Sequence, residues 1–300
     1  MWFVEALAGR GHAVVAVARS EQSSYLGLRA ERLARVGRCC RTLWSAPFGS
    51  PQFLEILYDE APIDILCHHA AETADYQSRD FDCAAAVHAN TLSLVATLRA
   101  LCAVSCRRIV LTGSVFEAGE GAGTLPLRAL NAYGLSKTLT AELFSFYAEQ
   151  EGLAFGKFVI ANPFGPYEEA RFTDYLIRSW RDDKVAVVRT PRYVRDNIHV
   201  SLLTRWYCAF AEALPNTGMS RIGPSGYVES QGAFADRFAR EIGDRLKLET
   251  RLKYVPQREF DEPAIRINMD LAHAKVDWNE SDSWDDLANY YARRFDISRR

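Results

Sequence analysis

The chain has 300 residues, 48% of them apolar and 25% charged, enough to bury one large core or two smaller ones. Its 36 basic and 38 acidic residues leave a formal net charge of -2, which offers no broad basic field to nucleic-acid phosphates or to an anionic membrane. Neither is an expected partner: no apolar run approaches the roughly 20 residues of a spanning helix, and Glu5 and Arg10 interrupt the stretch where a secretory signal would be apolar. A cytoplasmic location is expected. The seven cysteines (Cys39, Cys40, Cys67, Cys83, Cys102, Cys106 and Cys208) include no CxxC pair, so they read as small apolar residues and not as a disulfide framework or a zinc site.

In chain order, a helix over 2–8 ends at Gly9 and a strand HAVVAVA follows at 12–18. A second strand is expected at 39–44, a helix at 50–60 before Pro62, a third strand at 63–69 and a long helix at 84–103. The strand RIVLTGS at 108–114, a helix at 132–151 ending at Gly152 and a strand at 155–161 complete the series. Apolar strands alternating with amphipathic helices predict a doubly wound parallel α/β sheet, a Rossmann-like domain over 1–165. After Asn162-Pro163-Phe164-Gly165-Pro166 the rhythm changes. A smaller α+β substrate lobe is expected over 166–300, with helices near 173–181, 200–212, 229–246 and 283–295 and some segments returning to the first domain.

Two motifs carry chemistry. Tyr133 and Lys137 stand four apart at the start of a helix, so both side chains leave one face. An ammonium beside a phenol favours phenolate, which a tyrosine acting as acid or base at an alcohol or ketone carbon requires. Thr112-Gly113-Ser114 closes the strand RIVL at its carboxyl end, where a doubly wound sheet places reactive groups.

The ordered series HHAA (68–71), Asn90, LTGSVF (111–116), YGLSK (133–137), NPFGP (162–166) and RDNIHV (195–200) resembles the extended short-chain dehydrogenase/reductase family, and more narrowly its NAD-dependent epimerase/dehydratase branch. The resemblance spans residue 1 to about 284. It implies that Tyr133 is the acid/base, that Lys137 holds the nicotinamide ribose and tunes the tyrosine, and that Thr112 polarises the sugar oxygen, with Ser114 in reserve and near the substrate. It further implies that His69, Ala70 and Ala71 line the dinucleotide and that Asn90 orders the backbone beside it. Asn162 would bond a nucleotide-sugar and Arg195 would grip its diphosphate. His68 reads as core. The helices 84–103 and 132–151 resemble those that join two family subunits in a four-helix interface, so a homodimer is expected.

The family opens with a buried strand and a glycine-rich turn for the pyrophosphate, whereas this sequence matches it only from the middle of the first helix; strand and turn are expected ahead of Met1. Gly9 and Gly11 precede a strand and are not that turn. The strand at 12–18, which stands where the family has its second, ends in Arg19-Ser20 with no acid, which favours NADP over NAD. Family dehydratases carry Asp-Glu directly after the catalytic threonine, where this chain has Gly113 and Ser114, so a 4-keto reductase or an epimerase is expected ahead of a 4,6-dehydratase. The alternative is a non-catalytic dinucleotide sensor or scaffold on the same fold, which would have no need of Tyr133, Lys137 and Thr112 together.

Overall fold

A computed structural model describes residues 1–123, 127–270 and 276–297. In chain order the elements are α1 (Trp2–Gly9), β1 (Val15–Val17), α2 (Gly27–Cys39), β2 (Arg41–Leu43), α3 (Pro51–Asp59), β3 (Ile65–His68), α4 (Cys83–Asn90), α5 (Leu94–Ala103) and β4 (Arg108–Ser114). They continue with β5 (Ala122–Gly123), α6 (Ala132–Gln150), β6 (Ala154–Ile160), β7 (Asn162–Phe164), α7 (Phe172–Arg181), β8 (Ala186–Val188), β9 (Val194–His199) and α8 (Val200–Ala213). The chain closes through β10 (Met219–Ile222), β11 (Tyr227–Ser230), α9 (Gln231–Leu246), β12 (Leu252–Tyr254), β13 (Ile265–Ile267) and α10 (Glu280–Phe295).

These elements divide into two compact units. The first comprises Met1–Glu120, Leu127–Ile160 and Trp206–Gly223, and the second takes the described residues from Gly121, those of Ala161–Arg205 and those from Pro224 onward. The first unit is α/β and Rossmann-like, with parallel strands in the order β10-β6-β4-β3. Ile109, Val110 and Leu111 of β4 are completely buried, as a central parallel strand flanked on both edges must be. On one side Phe53, Leu98, Leu101 and Phe144 pack against Ile109 and Leu111. β1 and β2 form a separate parallel pair, so β1 and β3 each pair along one edge only among the described residues.

Two helices depart from expectation. The apolar stretch Cys83–Ala103 is long and apolar enough by composition to cross a membrane, contrary to the sequence reading. It is two helices: Thr91 closes α4, its hydroxyl donating to the Val87 carbonyl, and Ser93 adopts a left-handed conformation. Leu94, Leu98 and Leu101 then turn into the core. α2 went unread because its arginines recur at 29, 32, 35 and 38, and Val36 is its one buried residue, so it lacks the apolar stripe that marks a core helix.

In the second unit β9 joins β11, β13 and β7, with β5 on the far edge of β13, while β8 and β12 pair separately. Its core gathers Phe164, Trp180, Phe234, Phe238 and Trp284. The helices expected near 173–181, 200–212, 229–246 and 283–295 correspond to α7, α8, α9 and α10, of which α8 belongs to the first unit from Trp206 onward.

Candidate active site

The carboxyl end of β4 and the first turns of α6 meet because nothing separates their backbones. Asn131 caps α6, its side chain accepting from the Gly134 N–H at 2.8 Å. A Cβ on Gly134 would lie 2.2 Å from the Phe116 carbonyl oxygen, so only glycine lets α6 sit this close to the turn after β4. Lys137 Nζ, 3% exposed, then donates to the Thr112 carbonyl at 2.6 Å. Burial lowers the Lys137 pKa to about 8, with Glu117 opposing the shift and Lys157 adding to it. Tyr133, one turn earlier, is ringed by Tyr76, Phe81 and Phe116 at centroid distances of 5.4, 6.1 and 6.5 Å. The carbonyl of Tyr76 accepts from Asn131 Nδ2 at 3.1 Å, which ties the loop after β3 to the start of α6.

The two hydroxyls of β4 have different surroundings. Thr112, 6% exposed, donates to the His68 carbonyl at 3.2 Å. Its oxygen is left to accept from His69 Nδ1 at 3.2 Å, and His69 Nε2 then accepts the Tyr207 hydroxyl at 3.1 Å. Every proton in this chain is placed with a neutral imidazole. Thr112 is therefore engaged inside the unit. Ser114 ends the strand half-buried, its Oγ accepting from the Phe116 N–H at 3.2 Å with its own proton left to donate elsewhere.

Of the residues expected around a dinucleotide, Asn90 bonds the backbone just after Ala70 and Ala71. It is 3% exposed, accepts the Glu72 N–H at 3.0 Å and donates to Thr140 at 3.3 Å. It thereby fixes the turn that carries Ala70 and Ala71 away from β3. Arg19 does not stand alone: its guanidinium donates to Glu72 at 3.1 Å. The Ser20 N–H donates to the Tyr25 hydroxyl at 3.2 Å. His68 is core as expected, 4% exposed between Phe48 and Phe144.

In the second unit Asn162 opens β7, half-buried and in register with Asn197. Arg195 is bonded within the same unit. Its guanidinium donates to the carbonyls of Pro263 and Ala264 at 3.0 and 3.3 Å, pairs with Glu262 at 3.0 Å and lies 4.4 Å over the Tyr193 ring. It fastens β9 to the segment entering β13.

Sequence reasoning passed over Glu72, Glu117, Lys157 and Tyr207. Glu117 follows TGSVF directly, and an acid so near the end of a central strand was a visible signal. Lys157 interrupts the apolar run of β6 at a position facing Leu111. Glu72 and Tyr207 gave no signal, since their partners lie 53 and 138 residues away.

The sequence matches the model of the NAD dependent epimerase/dehydratase family over residues 2–222. The chain belongs to this family. No curated protein matches it. Among solved structures it is similar to UDP-glucuronic acid 4-epimerase from Bacillus cereus, in complex with UDP-glucuronic acid and NAD: TM-score 0.76, 16% identity, 97% of this chain and 95% of that one covered. UDP-glucose 4-epimerase from Thermotoga maritima, with UDP-glucose, gives a TM-score of 0.74 at 14% identity over 98% and 95% of the two chains. A dTDP-glucose 4,6-dehydratase from Streptomyces venezuelae, with NAD bound, gives 0.70 at 15% identity over 97% and 92%. At these identities the likeness is one of fold, and the chain has the fold of family members that handle nucleotide sugars.

Proposed function

We propose that this protein is an NAD(P)-dependent enzyme that moves a hydride at C4 of a nucleotide-linked sugar, as a 4-epimerase or a 4-keto reductase. The observation that carries this reading is the burial of Lys137 one turn after Tyr133, its ammonium held against the Thr112 carbonyl near the end of β4. Burying an ammonium is costly, and a scaffold would gain nothing from it.

The residues present fit the ribose and nicotinamide end of a dinucleotide. Lys137 offers a donor, Ala70 and Ala71 offer backbone without bulk, and Asn90 keeps their turn in place. The bound dinucleotide supplies the hydride chemistry. Tyr133 exchanges the proton of the sugar hydroxyl or ketone oxygen, Lys137 holds the phenol in its easily ionised state, and Ser114 donates a hydrogen bond to the same oxygen in place of Thr112. Neither hydroxyl is followed by an Asp-Glu pair: Gly113-Ser114 follows Thr112 and Val115-Phe116 follows Ser114. This favours epimerase or reductase over 4,6-dehydratase. The Arg19–Glu72 pair leaves a carboxylate where a 2′-phosphate would need an uncompensated cation, which turns the cofactor preference from NADP toward NAD.

We place the protein in the cytoplasm, since its seven cysteines are all unpaired thiols. We further propose a homodimer through α4, α5 and α6: Leu135, Leu139 and Phe146 lie exposed along α6, an apolar stripe that a four-helix interface would cover. The test of function is conversion of UDP- and dTDP-linked hexoses with either cofactor, by the parental chain and by Tyr133→Phe. Product from the parental chain alone is the expected result.

A further inference from the structure

Two carboxylates and two cations lie behind the turn that ends β4. Glu117 is fully buried. One of its oxygens accepts the Ser114 N–H at 2.7 Å and the other pairs with Lys157 Nζ at 2.6 Å. Lys157, on β6, also pairs with Glu120 at 2.7 Å, and Glu120 receives Arg221 of β10 at 2.6 and 2.9 Å. The ladder thus steps from the β4 turn across β6 to β10, where Arg221 and Lys157 are register partners. The residue between the two hydroxyls makes room for it: a Cβ on Gly113 would meet Glu117 Oε1 at 2.9 Å and Lys157 Cε at 3.0 Å.

Such a network is a poor way to stabilise a fold, because apolar residues of similar volume usually do at least as well. Its position suggests another purpose. The acidic end of the ladder is bonded to the backbone of Ser114 and the ammonium of Lys157 lies close behind it, so the charge nearest the end of β4 is set by how these two groups balance.

We infer that Glu117 is a positioning residue: it fixes the Ser114 turn through the backbone N–H and, balanced by Lys157, sets the field in which Lys137 keeps its proton. This rests on the reading of Ser114 and Lys137 given above. Glu117 and Lys157 act electrostatically on Lys137, Lys137 acts in turn on His68 and His69, and Tyr133 stands one turn before it on α6. His68 is held neutral by burial, and both ring nitrogens of His69 are satisfied in its neutral form. Glu117 and Lys157 act on Lys137 with opposite sign. Glu117→Gln keeps an oxygen for the Ser114 N–H and leaves Glu120 to Lys157, so it removes charge with little change of shape.

The experiment is a pH titration of the Lys137 Nζ resonance in the full-length chain labelled with ¹⁵N-lysine, assigned through Lys137→Arg. In Glu117→Gln the midpoint is expected to fall by about one pH unit. In Glu117→Gln/Lys157→Gln, which loses one charge of each sign, it returns to within a few tenths of the parental value. Hydrogen exchange of the Ser114 amide is expected to stay slow in Glu117→Gln and to accelerate about tenfold or more in Glu117→Leu, which has no acceptor. A structural carboxylate would change overall stability and leave the Lys137 midpoint in place, and that outcome overturns the inference. If the single variant does not fold, a double variant displaced by a unit or more overturns it equally. No substrate enters the titration. A chain that shows these shifts yet converts no nucleotide sugar counts against the hydride-transfer reading, whereas unmoved midpoints in an active chain count against Glu117 alone.

Discussion

At the scale of residues, the account turns on which groups still have a proton to give. Thr112 has its proton committed to the His68 carbonyl, while Ser114 accepts a bond and keeps its own. Ser114→Ala is therefore expected to lower kcat by about 10²-fold, in the range of a lost oxyanion donor. Thr112→Val should act mainly on stability, and steady-state kinetics of both variants beside thermal melts separate the two. Tyr133→Phe removes the proton carrier and should cost about 10²- to 10⁴-fold in kcat with dinucleotide binding retained, by titration. Glu72→Gln releases Arg19 from its partner, and the ratio of NADPH to NADH affinity is expected to rise. An unchanged ratio would mean that Arg19 does not face the ribose.

At the scale of elements, burial of charge and of neutral imidazole leaves measurable marks. Lys137 titrates near 8 in the fold against 10.5 when unfolded, so the folded state carries a penalty that is complete below pH 8 and fades between 8 and 10.5. Two to three pH units correspond to about 3 kcal/mol, less about 1 for the hydrogen bond to Thr112. Lys137→Met should accordingly be inactive and yet more stable at pH 7 by about 2 kcal/mol, with the gain shrinking as pH rises through 8. His68 and His199 behave in the opposite pH range. Burial lowers both to about 3, so the unfolded chain takes up protons that the folded chain refuses and stability falls as pH drops from 6.5 toward 3. In urea unfolding, His68→Leu should lose about 2 to 3 kcal/mol less than the parental chain between pH 7.5 and 4.5. For the proposed dimer, Leu139→Glu places a charge in the exposed stripe of α6 and should halve the mass seen by sedimentation.

At the scale of the whole molecule, the alternation of apolar strands and helices was enough to read the Rossmann-like unit, because parallel strands buried on both faces leave continuous apolar runs. The pair Tyr133 and Lys137 was legible for a similar reason, since its spacing is local to one helix. The bond that commits the Thr112 hydroxyl was not: its acceptor is a carbonyl 44 residues earlier, and no spacing within LTGSVF reports it. The partners of Arg195 were out of reach on the same ground, lying 67 to 69 residues downstream. Motif order thus identified the family, while the partners of individual polar groups came only with the fold. The central claim, hydride transfer at C4 assisted by Tyr133, is tested most directly by proton NMR of UDP- and dTDP-linked hexoses and their 4-keto forms incubated with the full-length chain and NAD or NADPH. The account predicts a C4-inverted or C4-reduced sugar from the parental protein and a rate lower by at least about 10²-fold from Tyr133→Phe. No product from any of these sugars, or equal product from the two proteins, would contradict it.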